Sequence, residues 1–233
     1  VTPATSRTAA QREPFAAAIE GLCYAGKTTL ARALAPLTGG MVLPDYGELA
    51  ATPRFPPRDQ EDVIAALRHF LCLERARAAA ARAARAAVVL LDRSPLTLIA
   101  HEHGIGHLGV PCDPHGAARL YAAAAATGEI LTPGAYLYLS VPGHVAAARQ
   151  ARRGPVPAHL THPQVRAGID RACRAYLAAL PAHRFLILDG TAPPATLAAS
   201  AARLLSHAAP GTRSLPDWRI LGLAPQCPAG RRT

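Results

Sequence analysis

A chain of 233 residues with 50% hydrophobic residues and a formal net charge of +10 is long enough for one sizeable globular domain and too apolar to be intrinsically disordered. Alanine supplies 53 of those residues, nearly half of the hydrophobic total, so bulky core material is scarce and helix is expected to dominate. Five cysteines, at positions 23, 72, 112, 173 and 227, form no CxxC pair; that spacing excludes a disulfide scaffold, implies no zinc site and points to reduced thiols in a cytoplasmic protein.

Residues 1–13, rich in Thr, Ala and Arg and lacking an apolar run, are expected to be a disordered leader rather than a signal peptide. Phe15 to Glu20 (FAAAIE) is a short apolar run suited to a buried parallel strand. The string that follows, Gly21 to Thr28 (GLCYAGKT), satisfies GxxxxGK[ST]. In that pattern backbone N–H groups surround phosphates, a flexible ammonium reaches the β and γ phosphates, and a hydroxyl holds magnesium. Of the 25 basic residues 24 are Arg and the single lysine is Lys27, a point charge that an arginine fork does not simply replace. The loop must open into a helix, and Lys27 to Pro36 supplies one, with Leu30 and Leu34 at helical spacing and proline as its stop. A plain glycine turn between strand and helix is the alternative reading.

A second strand is expected at Met41 to Leu43 and a long helix near 59–86. On that helix Val63, Leu67, Phe70 and Glu74 share one face, so Glu74 lies on the apolar stripe and needs a partner or a task, which Arg75 or a ligand could provide. The stretch from Arg77 to Arg85 reads as a solvated or dimer-facing surface, leaving a homodimer open. A third strand, 87–91, runs into Asp92, the carboxylate that magnesium beside a phosphate loop requires. Arg93, then Ser94 as N-cap and Pro95 at the first helical position, turn it directly into a helix.

Further helices are expected near 95–103, 114–126, 143–152, 163–179 and 194–207, and further strands at 136–141 and 185–188. His101, His103 and His107 look like metal ligands, but i, i+2 neighbours face apart on a helix and Gly104 interrupts the run, so no metal is expected there. Asp189-Gly-Thr191 after the fifth strand also suits an ordinary turn before a helix. Residues 208–233, with four prolines and three glycines, read as a tail that Trp218, Ile220 and Leu221 could dock. No apolar stretch of about 18 residues lacks a charge, so no membrane span is expected. The alternation predicts one α/β domain over 14–207, a three-layer fold with a five-stranded parallel sheet and helices on both faces.

Together these residues resemble the thymidylate kinase and deoxynucleoside kinase group of P-loop phosphotransferases. The carriers are the loop at 19–29, Leu73-Glu74-Arg75, Asp92-Arg93-Ser94, and Leu139-Ser-Val-Pro followed by Arg149, Arg152 and Arg153. The resemblance implies a magnesium- and ATP-dependent phosphotransferase that moves the γ-phosphoryl group to a nucleoside or nucleoside monophosphate. It implies that Gly21, Ala25, Gly26, Lys27, Thr28 and Thr29 hold the triphosphate, that Thr28 and Asp92 hold magnesium, and that Arg93 faces the transferred group. Arg149, Arg152 and Arg153 would belong to a lid at about 149–160 closing over the donor, with Asp189 beside the adenine. Arg75 would contact the acceptor, unless it forms an ion pair with Glu74. Asp45 and Glu48 stand where the family keeps its acceptor-side carboxylate, Asp45 as the base, although both also suit turn and cap chemistry around Gly47.

The chain lacks the Arg-Glu-Pro of thymidylate kinases and the Glu-x-x-Trp of deoxynucleoside kinases, so neither thymidylate nor thymidine is implied as the acceptor. Asp92 is followed by Arg rather than by the Glu that activates water in motor-type ATPases. The chain has no asparagine, so a guanine-reading NKxD cannot exist. An ATP-binding regulator with slow hydrolysis is the second reading. A nucleic-acid binder is the third, although the scattered arginines suit small phosphate-bearing ligands as well as DNA.

Overall fold

The apolar runs spaced through the sequence assemble into a single parallel sheet. The computed structural model describes residues 13–207; the expected leader up to residue 12 and the tail at 208–233, with Trp218, Ile220 and Leu221, lie outside the described residues. The strands are β1 (Phe15–Gly21), β2 (Met41–Leu43), β3 (Val88–Asp92), β4 (Pro133–Ser140) and β5 (Phe185–Asp189). They lie in the order β2-β3-β1-β4-β5, all parallel. β1 is therefore central, and the chain leaves it towards β2 on one side before returning to β4 on the other. The crevice at the carboxyl end of β1 is the switch point where open α/β sheets bind ligands.

Helices cover both faces: α1 (Lys27–Thr38), a one-turn α2 (Tyr46–Leu49), α3 (Gln60–Ala83), α4 (Pro95–Ile105), α5 (Pro114–Ala126), α6 (Gly143–Arg153), α7 (Pro163–Ala178) and α8 (Pro194–His207). Strand alternation sorts side chains between the two cores. Ala17, Ile19, Leu137 and Leu139 pack with Leu30 and Leu34 of α1 and Leu197 of α8. Ala18, Tyr136 and Tyr138 face Leu67, Ile99, Tyr121 and Tyr176 on the other side. The expected sheet, strand number and layering are all present.

Several boundaries shift by a few residues, β4 beginning at Pro133 rather than at 136, and one of the shifts has a clear physical reason. Pro36 was the expected stop of α1, yet the helix continues to Thr38 and ends at Gly39, whose φ of 59° is the left-handed cap and whose N–H donates to the Ala35 carbonyl. Proline costs one main-chain donor, and near a helix end that loss is tolerated; the residue able to turn left-handed makes the stop.

Candidate functional site

The loop from β1 to α1 is shaped by positions where glycine or a left-handed residue is required. Gly21 has φ +138°, and a Cβ there would sit 2.6 Å from the Leu139 carbonyl oxygen. Tyr24 and Gly26 follow with φ of 66° and 105°, the mixed-handed backbone from which anion-binding nests are made. Gly26 is the N-cap of α1 and brings no side-chain cap, so the first turn keeps its N–H groups for an anionic ligand. Lys27 is 6% exposed and its Nζ donates to the Leu22 carbonyl at 3.1 Å. Burial, and then the neighbouring Arg93 charge, lowers the pKa of its ammonium, against the opposing pull of Asp92 and Asp45.

Beside the loop, Thr28 donates its hydroxyl proton to Asp92 Oδ2 at 2.5 Å, while Asp92 Oδ1 is buried with no hydrogen-bond partner. A buried carboxylate oxygen without a donor is costly in a resting fold and suits a cation. A hydroxyl that donates its hydrogen bond to Asp92 also keeps its lone pairs for the same ion. The residues present therefore fit magnesium.

Arg93 sits at the bend after Asp92 with φ 71°. Four hydrogen bonds fix the bend: the Arg93 N–H donates to the Ile19 carbonyl, and Glu20, fully buried at the end of β1, accepts from Ser94 N, Ser94 Oγ and Thr97 Oγ1. Burial raises the Glu20 pKa, although these hydrogen bonds oppose the rise. The Arg93 Nε donates to Asp45 Oδ2 at 2.7 Å. Burial alone would raise the Asp45 pKa, but Arg93 and then Lys27 outweigh it and hold the carboxyl below its ordinary value.

Arg93 and Asp45 form the floor of a cleft of about 490 Å³. Its walls are largely apolar, including Val63, Leu67 and Phe70 of α3 and Ile105 of α4, with Glu102, His101 and His159 as polar members. Glu102 accepts from Asp113 N at 2.9 Å, and its other oxygen lies 3.7 Å from His101 Nδ1. Burial, and then His101, lowers His159 to about 4. Between pH 6.5 and 4 the unfolded chain binds a proton at this residue that the folded chain does not. Stability should therefore fall on acidification across that window. Denaturant titrations at pH 7 and pH 4.5 should show a smaller loss for His159→Phe than for the parent; an equal loss would contradict this.

Several expected residues lie elsewhere. Arg75 is exposed and its Nε donates to Glu129 at 2.7 Å, away from the cleft. One step along a helix rotates a side chain by about 100°, so a neighbour of inward-facing Glu74 cannot share its face. The inward partner is Arg77, three residues on, which corrects its expected place on a solvated surface: it is 2% exposed. Its Nη1 donates to Glu74 Oε1 at 2.6 Å, and Nη2 reaches the Leu43, Asp92 and Arg93 carbonyls at 3.0–3.4 Å. Tyr46 also donates to Glu74, so this buried group ties the ends of β2 and β3 together. Glu48 is exposed and does not line the cleft, whereas Asp45, at the N-cap of α2, does.

On the donor side, Arg149 donates to the Tyr24, Ala25 and Gly190 carbonyls, joining the loop to the turn after β5. Arg153 reaches Thr29 Oγ1 at 3.2 Å, and Arg152 is exposed. Asp189 accepts from the backbone and hydroxyl of Thr191, capping that turn. Among the described residues no group of three or more His, Cys, Asp or Glu could hold a metal ion, and no helix is long and apolar enough to cross a membrane.

A family model described as an AAA domain matches residues 21–188. The chain is 33% identical over 190 residues to thymidylate kinase of Xanthomonas campestris pv. campestris (strain B100), covering 75% of each chain. It is 31% identical over 202 residues to thymidylate kinase of Xylella fastidiosa (strain 9a5c), covering 81% of this chain and 88% of the relative. Among solved structures, deoxyadenosine kinase from M. mycoides with bound dCTP superposes with a TM-score of 0.60 at 14% identity, over 82% of this chain and 99% of that one. Thymidylate kinase from Candida albicans gives 0.57 at 15% identity, over 83% and 92%. At such identities the structural likeness speaks to the fold alone.

Proposed function

Because the chain belongs to the P-loop thymidylate kinase family, and is thus a nucleoside or nucleotide phosphotransferase, we propose that it moves the γ-phosphoryl group of ATP to a nucleoside or nucleoside monophosphate. The observation that carries this reading is the meeting of a phosphate-shaped loop and a largely apolar cleft at one ion pair, Arg93 with Asp45. A switch that only hydrolysed ATP would have no use for the second compartment.

In this reading the loop from Gly21 to Thr29, including Ala25 and Gly26, binds the triphosphate, and Lys27 meets the charge of its outer phosphates. Thr28 and Asp92 hold magnesium, which when bound offsets phosphate charge. Arg93 faces the group in transit, where a fixed cation is worth most because it needs no rearrangement as charge shifts. The acceptor lies along the apolar wall of α3. For a hydroxyl acceptor, its oxygen bonds to the γ phosphorus, the bond from that phosphorus to the β,γ-bridging oxygen breaks, ADP leaves, and the hydroxyl proton passes to Asp45. A carboxylate held at low pKa is a weak base, so it takes the proton late, once the forming bond has acidified it. Arg149, Arg152 and Arg153 close the donor side against water, and Asp189 shapes the turn beside it.

Incubation with ATP, magnesium and a panel of nucleosides and nucleoside monophosphates, followed by mass spectrometry, tests the reading. A product heavier by one phosphoryl group, formed with ADP in equal amount, is expected. ADP release at the same rate with and without every acceptor would favour the regulatory ATPase instead.

A further inference from the structure

One short stretch of chain touches both compartments. At the end of α6, Arg153 Nη2 donates to Thr29 Oγ1, and the next residue, Gly154, accepts the Tyr24 hydroxyl at 2.8 Å. Five residues later His159 stacks on Phe55, with ring centroids 3.5 Å apart and planes at 22°. His101 of α4 stands edge-on to both rings, 6.3 Å from Phe55 and 5.3 Å from His159. Val156, Pro157, His159 and Leu160 line the acceptor cleft together with Phe55.

The connecting segment is short, with a glycine at one end and two prolines within it. Gly154 has φ +87° with open space around its α-carbon, a backbone state that most side chains would resist, and Pro155 and Pro157 follow. Proline fixes its own φ and biases the preceding residue to extended backbone, so 155–157 is a short stiff spacer on a glycine pivot. One end is held by the phosphate loop and the other by an aromatic stack in the loop that precedes α3.

We propose that the Phe55–His159 stack is a latch through which occupation of the phosphate loop orders the acceptor loop, making Phe55 and His159 positioning residues for transfer. The proposal rests on the reading above, in which the two compartments hold donor and acceptor. An acceptor lying under the stack would hold it shut and keep Arg153 and Tyr24 on the donor loop; by linkage a bound donor favours the closed stack equally. The Phe55 and His159 rings need touch neither reacting group to do this.

Amide hydrogen exchange of the full chain, with the β,γ-imido analogue of ATP and magnesium as the probe, tests the latch without an identified acceptor. In the parent the analogue should slow exchange at 21–29 and, by about fivefold or more, in the loop at 50–58. In Phe55→Ala and His159→Ala the slowing at 21–29 should persist while that at 50–58 is lost. His159→Phe, which keeps a ring to stack, should restore it. Protection at 50–58 that is absent in the parent, or equal in the alanine variants, overturns the latch. Absence of protection at 21–29 in the parent overturns the donor-site reading instead, and the latch with it. A role in folding alone would not dissociate the two segments in this way.

Discussion

Replacing Lys27 by alanine should lower the turnover number on the order of 10²–10³-fold, the usual effect of deleting one preorganised group that meets transition-state charge. The fold should survive. The Lys27 ammonium is buried and donates a hydrogen bond to a carbonyl of its own loop, and its charged form is disfavoured in the folded chain. Removing it takes away a desolvated cation and leaves Asp92 still bonded to Thr28. The thermal midpoint of Lys27→Ala should therefore match or exceed that of the parent. Such sites commonly gain stability when the functional charge is deleted. Differential scanning calorimetry beside steady-state rates checks both halves, and unchanged turnover would remove Lys27 from the reaction.

The Arg93–Asp45 pair carries the second large effect. Arg93→Ala should cost on the order of 10²–10³-fold in turnover, and Arg93→Lys should not restore it, because an ammonium cannot hold Asp45 and face a phosphoryl group with one planar fork. Asp45→Asn should cost on the order of 10²–10⁴-fold if the acceptor is a hydroxyl. Two residues that act as a unit give non-additive losses, so the double variant should fall well short of the product of the single effects. A pH signature accompanies the first change. The Asp45 pKa is lowered in the folded chain, so the pair stabilises above the ordinary carboxyl range and loses that contribution as pH falls through the lowered value. Without Arg93 only Lys27 and the Tyr46 backbone N–H still oppose burial, so the carboxyl titrates at higher pH and this source of stability should shrink. Fully multiplicative losses in the double variant would show that the two residues work separately.

Local chemistry was the most legible part of the sequence. The loop around Lys27 and the run Asp92-Arg93-Ser94 each state their geometry within a few residues. Glycine at a forbidden φ, an N-cap serine and a proline at the first helical position are local requirements, and α5 and α8 follow the expected ranges for the same reason. What stayed hidden depends on which way a helix faces or on distant partners. Arg75 and Arg77 are equally basic on paper, and only the rotation of α3 sends one outward to Glu129 and the other inward to Glu74. The i, i+3 spacing of Glu74 and Arg77 was the available signal. Glu20 looked like the end of a strand, but its task as anchor of α4 depends on Ser94 and Thr97, which the sheet brings to it. Phe55, His101 and His159 come from three separate segments with no shared motif, so nothing short of the tertiary structure joins them.

The most direct test of the account follows the phosphoryl group itself. With ATP carrying oxygen-18 on its γ phosphate, magnesium, and the panel of nucleosides and nucleoside monophosphates offered as acceptors, the label should leave ATP and appear in a phosphorylated acceptor. Little should appear in inorganic phosphate. Label recovered wholly as inorganic phosphate, at a rate that no acceptor in the wider panel alters, would contradict phosphoryl transfer as the work of this site.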